Sequence, residues 1–176
     1  MKQLLISFMT LFILASCNNS AQVASSTDST GSATTEAGPD SNTAKKDISA
    51  LMDAVHNGLH QKDFNSIESA MSPDALVLGT DPKEVWGFGQ FRDSMHKFFA
   101  DTSYHGMQYQ VPTHQITVHG SSAIIIDQYQ LNDISKKLMT RNIAHAQYEN
   151  GKWLLDLMSW NLIPTNEDVP KIDKAL

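Results

Sequence analysis

Apolar residues recur at intervals of three and four over the first part of the globular region, a pattern typical of amphipathic helices. One such stripe predicts a helix from about Lys45 to Gln61; its members are Ile48, Leu51, Met52, Val55 and Leu59. Asp63 can cap a second, shorter helix, which ends at Ser72-Pro73-Asp74. The apolar face of that helix consists of Phe64, Ile67 and Met71.

A short apolar run, residues 75–79, predicts a strand that ends before a turn at Asp81-Pro82. Helical spacing then returns and predicts a third helix that ends near Ala100; its apolar positions are Phe88, Phe91, Met95 and Phe98. Such a stripe is what any buried helix shows, so most of these side chains are interpreted as core.

After Gly106 the apolar period changes to two, which predicts strands over residues 107–119, 122–132, 138–149 and 152–163. Their short connections make them an antiparallel meander. Helices at one end of the sequence and strands at the other predict an α+β fold, with three helices packed on one face of the sheet. We assign this single domain to residues 45–166, followed by a polar tail at 167–176.

The first 44 residues have a different composition. Residues 1–16 have a positive start and a short apolar run, the pattern of a signal peptide, and they lead into Leu-Ala-Ser-Cys17, which resembles a bacterial lipobox. Cys17 is the only cysteine, so an intramolecular disulfide is excluded. Residues 17–44 are almost wholly small and polar, which predicts a disordered tether. We expect a lipoprotein of the bacterial cell envelope, anchored in the bilayer through acylated Cys17; the sequence does not identify which membrane.

The net charge and the motifs of the chain argue against several classes of function. The chain has a net charge of −6 and no Lys/Arg cluster, which argues against a nucleic-acid partner. His56 and His60 have a spacing that can bind a metal, but the Glu of a His-Glu-x-x-His motif is missing, so both are interpreted as surface or boundary histidines. No phosphate-binding loop and no Ser/His/Asp or Cys/His set is visible in the sequence, and we expect no metal or cofactor.

Several short segments resemble SnoaL-like proteins of the nuclear transport factor 2-like superfamily. They are Leu-Gly-Thr-Asp-Pro-x-Glu-x-Trp (78–86), Arg141 at the start of the penultimate strand, Asn-Gly-Lys-Trp (150–153), and Ile-Pro-Thr-Asn (163–166). The resemblance implies a cystatin-like cone, in which a curved sheet wraps around a helix and leaves a pocket open at one end. Its relatives include isomerase-like and dehydratase-like enzymes as well as members without chemistry, so the fold does not decide the function.

The resemblance also implies which residues line the pocket. We expect Trp86 to close its mouth, with Phe91, Met95, Tyr129 and Leu157 behind it. Ser159, Asn161 and Arg141 would orient a ligand. Where relatives often place imidazoles on the last strand, this chain has Leu157 and Ser159.

Two features of this predicted pocket have alternatives. The first is the position of Asp127, which interrupts an apolar strand. One alternative places it on the pocket wall, where it could act as a base. The other, which we expect, places it at the rim, where it is solvated or paired with Arg141.

The second is the turn at residues 149–152. It is either a two-residue type I′ loop, which pairs Asn142 with Ser159, or a three-residue loop with a bulge at Gly151, which pairs Arg141 with Ser159. The resemblance favours the bulged form, because relatives point the Arg inward.

The sequence therefore predicts a domain that binds a small, largely apolar ligand without chemistry, because no complete acid–base set is visible. The alternative is an isomerase- or dehydratase-type enzyme, with Asp127 as general base and Tyr129 or Arg141 steadying an enolate-like oxygen. We also expect a homodimer that pairs through the outer sheet face, where Met158 or Trp160 would otherwise be exposed.

Overall fold

The computed structural model describes residues 38–131, 135 and 137–175. The helices are α1 (Ser41–Gln61), α2 (Phe64–Ala70), α3 (Phe88–Ala100) and α4 (Val169–Asp173). The strands are β1 (Met71–Leu78), β2 (Val85–Gly87), β3 (Tyr109–His119), β4 (Ser122–Leu131), β5 (Met139–Glu149) and β6 (Lys152–Ile163). None of these helices is long and apolar enough to cross a membrane.

All six strands form one curved sheet in the order β2-β1-β6-β5-β4-β3. Strands β3 to β6 are an antiparallel meander, β1 joins β6 in parallel, and β2 pairs with β1. The buried core combines the apolar stripes of α1, α2 and α3 with the inner positions of β4, β5 and β6. The predicted α+β fold and the meander are confirmed.

Helix α1 begins four residues before the predicted start. The carboxylate of Asp40 accepts hydrogen bonds from the backbone N–H groups of Asn42 (3.0 Å) and Thr43 (3.2 Å), which fixes the N-terminus of the helix. Residues 41–44, predicted as the end of the tether, are therefore helical, and Ala44 is fully buried. Cys17, the predicted signal peptide and residues 17–37 of the tether lie outside the described residues.

Strand β1 is also longer than predicted. It begins at Met71, so Pro73 lies inside a strand that was expected to start at Ala75. An irregularity in the pairing with β6 between Met71 and Leu76 accommodates the proline, which cannot donate a ladder hydrogen bond. The short strand β2, which contains Trp86 opposite Val77, and helix α4 in the predicted polar tail were not predicted.

The β5–β6 hairpin closes through a two-residue turn. Asn150 and Gly151 have φ values of 52° and 79°, and Glu149 pairs with Lys152, as in a type I′ turn. The three-residue loop with a bulge at Gly151 that the resemblance favoured is therefore wrong.

A β-bulge lies further along this hairpin. Ala146 pairs with Leu155 but His145 pairs with Leu157, so Asp156 is an extra residue in β6. Beyond it the alternation of inner and outer side chains shifts by one position. Met158 is fully buried and Trp160 packs against the core, so the prediction that either is exposed on the outer face is wrong.

Candidate functional site

A cavity of about 220 Å³ opens between α1, α3 and the concave side of the sheet. Its walls are mostly aromatic and aliphatic. The lining residues are His56, Leu59, Gly79, Thr80, Glu84, Trp86, Phe91, Ser94, Met95, Phe98, Met107, Tyr109, Tyr129, Leu131, Thr140 and Trp160. Four predicted pocket residues are among them, namely Trp86, Phe91, Met95 and Tyr129, and their role in binding stays a prediction.

The other predicted wall residues do not line this cavity. Arg141, Leu157, Ser159 and Asn161 are absent from its lining, so the prediction that they line the pocket is wrong for this cavity. The bulge at Asp156 turns Leu157, Ser159 and Asn161 to the outer face of the sheet. Arg141 also points to that face, because its neighbours in β5, residues 140 and 142, are buried on the inner face. Their places on the wall are taken by Trp160 and Thr140.

Trp86 forms part of the wall that faces α3. It is half-buried in β2, and its ring centroid lies 6.2 Å from that of Phe91. Phe91 in turn lies 6.4 Å from Trp160. These contacts join β2, α3 and β6 into a continuous aromatic wall.

Asp127 lies on the inner face of β4 and is fully buried. Its Oδ1 lies 2.6 Å from His114 Nδ1, and its Oδ2 lies 3.0 Å from the Tyr129 hydroxyl and 3.3 Å from His56 Nε2. The expectation of a solvated rim position or an ion pair with Arg141 is therefore wrong. The carboxylate instead joins two histidines behind the cavity wall.

This environment keeps Asp127 ionised. Burial by itself raises the pKa of a carboxyl group, but hydrogen bonds from His56 and His114 outweigh it and hold the pKa of Asp127 below its usual value. An ionised carboxylate only accepts hydrogen bonds, so the Tyr129 hydroxyl donates to it. Burial, and then the nearby Asp127 charge, raises the pKa of Tyr129, which keeps this phenol protonated.

His56 connects the buried carboxylate to the cavity. Its Nε2 lies 2.7 Å from the Tyr129 oxygen, whose single proton is donated to Asp127, so Nε2 donates to that oxygen. The imidazole is 8% exposed and lines the cavity. The interpretation of His56 as a surface or boundary histidine is wrong. Its spacing from Met52 and Leu59 on the buried stripe of α1 was the available signal.

His60, one turn further along α1, is exposed, as expected, and its Nδ1 lies 3.1 Å from the carbonyl oxygen of Met107. His114 continues the network away from the cavity. Its Nε2 lies 3.1 Å from Ser49 Oγ, and its side chain is 34% exposed. The buried carboxylate is thus linked to an exposed imidazole on one side and to the cavity on the other.

Two buried polar atoms lie on the inner face of β5 beside this network. Thr140 Oγ1 and Asn142 Oδ1 have no hydrogen-bond partner among the described residues. Thr140 lines the cavity and pairs with Tyr129 across the strands. Buried polar groups are seldom left unpaired, so a bound molecule or water is expected to satisfy them.

A second His–Asp pair lies on the outer sheet face. His145 Nδ1 is 2.6 Å from Asp156 Oδ1, and its Nε2 is 2.7 Å from Ser122 Oγ. The sequence did not reveal this Ser/His/Asp arrangement, because its members come from three strands. They do not line the cavity, and the Asp156 side chain is 41% exposed, so we assign no chemistry to them. Within the described ranges no group of three His, Cys, Asp or Glu residues is arranged to hold a metal.

A curved sheet that wraps helices around a cavity, with helices leading and a meander following, defines a cystatin-like or nuclear transport factor 2-like protein. Residues 48–155 match the sequence model of the SnoaL-like domain. The chain belongs to the SnoaL-like family. No curated protein matches the sequence.

Solved structures show the same fold at low sequence identity. A nuclear transport factor 2-like protein of unknown function from Pseudomonas putida has a TM-score of 0.61 and 13% identity, over 72% of this chain and 92% of its own. A protein from Streptomyces avermitilis, provisionally assigned as a dehydratase of the same family, has a TM-score of 0.59 and 14% identity, over 70% and 99%. A cystatin-like protein of unknown function from Nostoc punctiforme has a TM-score of 0.56 and 16% identity, over 69% and 92%.

Proposed function

We propose that the domain is an acid–base enzyme of isomerase or dehydratase type that acts on a small, largely apolar molecule in the cavity, with His56 transferring the proton. The observation that carries this proposal is the position of His56. It borders the cavity while its Nε2 lies 2.7 Å from the Tyr129 hydroxyl and 3.3 Å from the Asp127 carboxylate. Binding without chemistry was favoured from the sequence because an acid–base set was missing, and His56 supplies one.

The three polar side chains have distinct roles. Asp127 and Tyr129 hold the Nε2–H of His56, which leaves Nδ1 as the ring nitrogen that can accept a substrate proton. The Asp127 charge then stabilises the imidazolium that forms. Asp127 itself is a poor base, because its pKa is lowered and donors already occupy both of its oxygens. We therefore assign it a positioning role and assign the proton transfer to His56.

The size of the cavity limits the substrate. An apolar cavity of about 150 Å³ accommodates benzene. The cavity here, at about 220 Å³, has room for one ring with a short substituent or for a short branched chain. Aromatic walls favour an apolar body, and the polar end at Tyr129 and Thr140 suits one oxygen-bearing group.

Deuterium exchange from D2O into a panel of small cyclic and branched ketones, followed by NMR, tests the proton transfer. We expect His56→Gln to slow exchange by about 10²–10⁴-fold, the usual contribution of a positioned base. His60→Gln is the matched control, since it changes an exposed histidine one turn away. If ketones quench the fluorescence of the cavity tryptophans but the wild type exchanges no deuterium, the domain binds without chemistry.

We also propose that the protein is exported and anchored in the bacterial cell envelope by lipid on Cys17. The lipobox-like sequence and the polar segment after it support this. In detergent phase partitioning, we expect the full chain in the detergent phase and the Cys17→Ser variant in the aqueous phase. If both stay aqueous, the anchor proposal is wrong.

Self-association through the outer sheet face is a further proposal. Ile124 and Ile143, on neighbouring strands, are 45% and 39% exposed, an apolar surface that a second copy would cover. Light scattering of the Cys17→Ser protein is expected to give a dimer mass, and Ile143→Lys a monomer. A monomeric Cys17→Ser protein at high micromolar concentration would refute dimerisation.

A further inference from the structure

The charged side chains that line the cavity or lie directly behind its wall are carboxylates. Of its sixteen lining residues none is Lys or Arg, and one, Glu84, is a carboxylate. Asp127 lies directly behind the wall, fully buried and ionised. A third carboxylate, Asp53, lies on α1. Burial raises the pKa of Tyr109, a lining residue, and the charge of Asp53 raises it further.

None of these three carboxylates forms an ion pair with Lys or Arg in the part of the chain that the structure describes. His56 and His114 are the groups that face Asp127, and both are held by it. Glu84, half-buried at the edge of the cavity, accepts a hydrogen bond from the backbone N–H of Asp81 through Oε2. These carboxylates favour a negative electrostatic potential in the cavity, and among the described residues no Lys or Arg lines it.

The walls add to this potential. Six lining residues carry aromatic rings: Trp86, Phe91, Phe98, Tyr109, Tyr129 and Trp160. The faces of such rings are electron-rich, and they attract a cation within about 6 Å, most strongly where water is excluded. Aromatic rings around a site are recognised chemistry for binding quaternary ammonium groups, and nearby carboxylates attract the same positive charge.

We propose that the cavity selects a small organic ammonium compound, one with a substituted amine on a compact apolar body, over neutral and anionic molecules of the same shape. The proposal deepens the proposed function, because it rests on the cavity being the substrate site. An anion placed there would lie close to carboxylates with no counter-ion. A neutral molecule gains the apolar contacts but not the attraction of the rings and carboxylates.

Three probes of nearly the same shape test the selectivity. Phenyltrimethylammonium, tert-butylbenzene and benzenesulfonate share a phenyl ring and a tetrahedral head, and carry charges of +1, 0 and −1. Binding is followed by tryptophan fluorescence, since two of the three tryptophans, Trp86 and Trp160, line the cavity. We expect the cation to bind at least tenfold more tightly than tert-butylbenzene, and benzenesulfonate to bind most weakly.

A matched pair of variants locates the source of the preference. Glu84→Gln removes a lining carboxylate while its amide oxygen can still accept from Asp81, and it should reduce the cation preference about threefold or more. Glu68→Gln removes an exposed carboxylate on α2 that does not line the cavity, and should leave the preference unchanged.

The outcomes separate this inference from the proposed function. If tert-butylbenzene or benzenesulfonate binds as tightly as the cation, the ammonium selectivity is wrong while the cavity remains a ligand site. If Glu68→Gln reduces the preference as much as Glu84→Gln, the selectivity reflects net charge and the inference is likewise wrong. If none of the three probes binds, the cavity is not a site for small organic molecules, and the proposed function falls with the inference.

Discussion

Asp127→Asn is expected to lower the free energy of unfolding by about 2–4 kcal/mol at pH 7, because hydrogen bonds to a buried charged group contribute about 1.5–3 kcal/mol each. The carboxylate accepts from His114 Nδ1 and the Tyr129 hydroxyl, and it also faces His56 Nε2. An amide in its place presents one N–H₂ group toward these donors. At least one buried hydrogen bond is therefore lost.

The effect should depend on pH in a defined direction. The pKa of Asp127 in the folded protein lies below its usual value of 3.8, so its contribution is fully present above that value and is lost as the pH falls through the lower folded pKa. Below pH 4 the difference between wild type and variant should shrink. Urea unfolding at several pH values measures it.

The matched control is Asp156→Asn. Asp156 also makes a 2.6 Å contact with a histidine, His145, but its side chain is 41% exposed, so solvent screens the pair and we expect a loss below about 1 kcal/mol. Equal losses for the two variants would contradict the assignment of Asp127 as the buried centre of the polar network.

The secondary structure could be predicted from the periodicity of apolar residues, because most of the helices and strands bury one face. The third helix was predicted to end near Ala100, where it ends, and the last strand was predicted with its observed bounds, Lys152–Ile163. The start of α1 was missed because the cap, Asp40, precedes the apolar stripe by several polar residues. The short strand β2 has no period of its own, because three residues are too few to show one.

The candidate site was harder to predict, for two physical reasons. His56 and Tyr129 are 73 residues apart, and only the packing of α1 against the sheet brings them together. The bulge at Asp156 has no Gly or Pro to mark it, yet it exchanges the inner and outer faces of half of β6. One extra residue thus replaced Leu157 and Ser159 with Met158 and Trp160 on the concave side.

Phe91→Ala is expected to lower the free energy of unfolding by about 3–5 kcal/mol, the usual cost of truncating a buried aromatic side chain. Phe91 is fully buried on α3, with ring centroids at 6.0 Å from Phe64, 6.2 Å from Trp86 and 6.4 Å from Trp160. It supports the cavity wall and joins α2, β2 and β6, so no single element can relax to fill the space left behind.

Phe98→Ala is the control for this prediction. Phe98 lies on the same helix and also lines the cavity, but it is 43% exposed, and we expect its truncation to cost about 1 kcal/mol, largely through its contact with Tyr104 at 4.0 Å. Urea unfolding of both variants at neutral pH compares them. A loss from Phe91→Ala no larger than that from Phe98→Ala would mean that α3 does not pack against β6 as the structure places it. The predicted difference arises because Phe91 is fully buried and Phe98 is 43% exposed, so truncation of Phe91 removes more buried apolar contact.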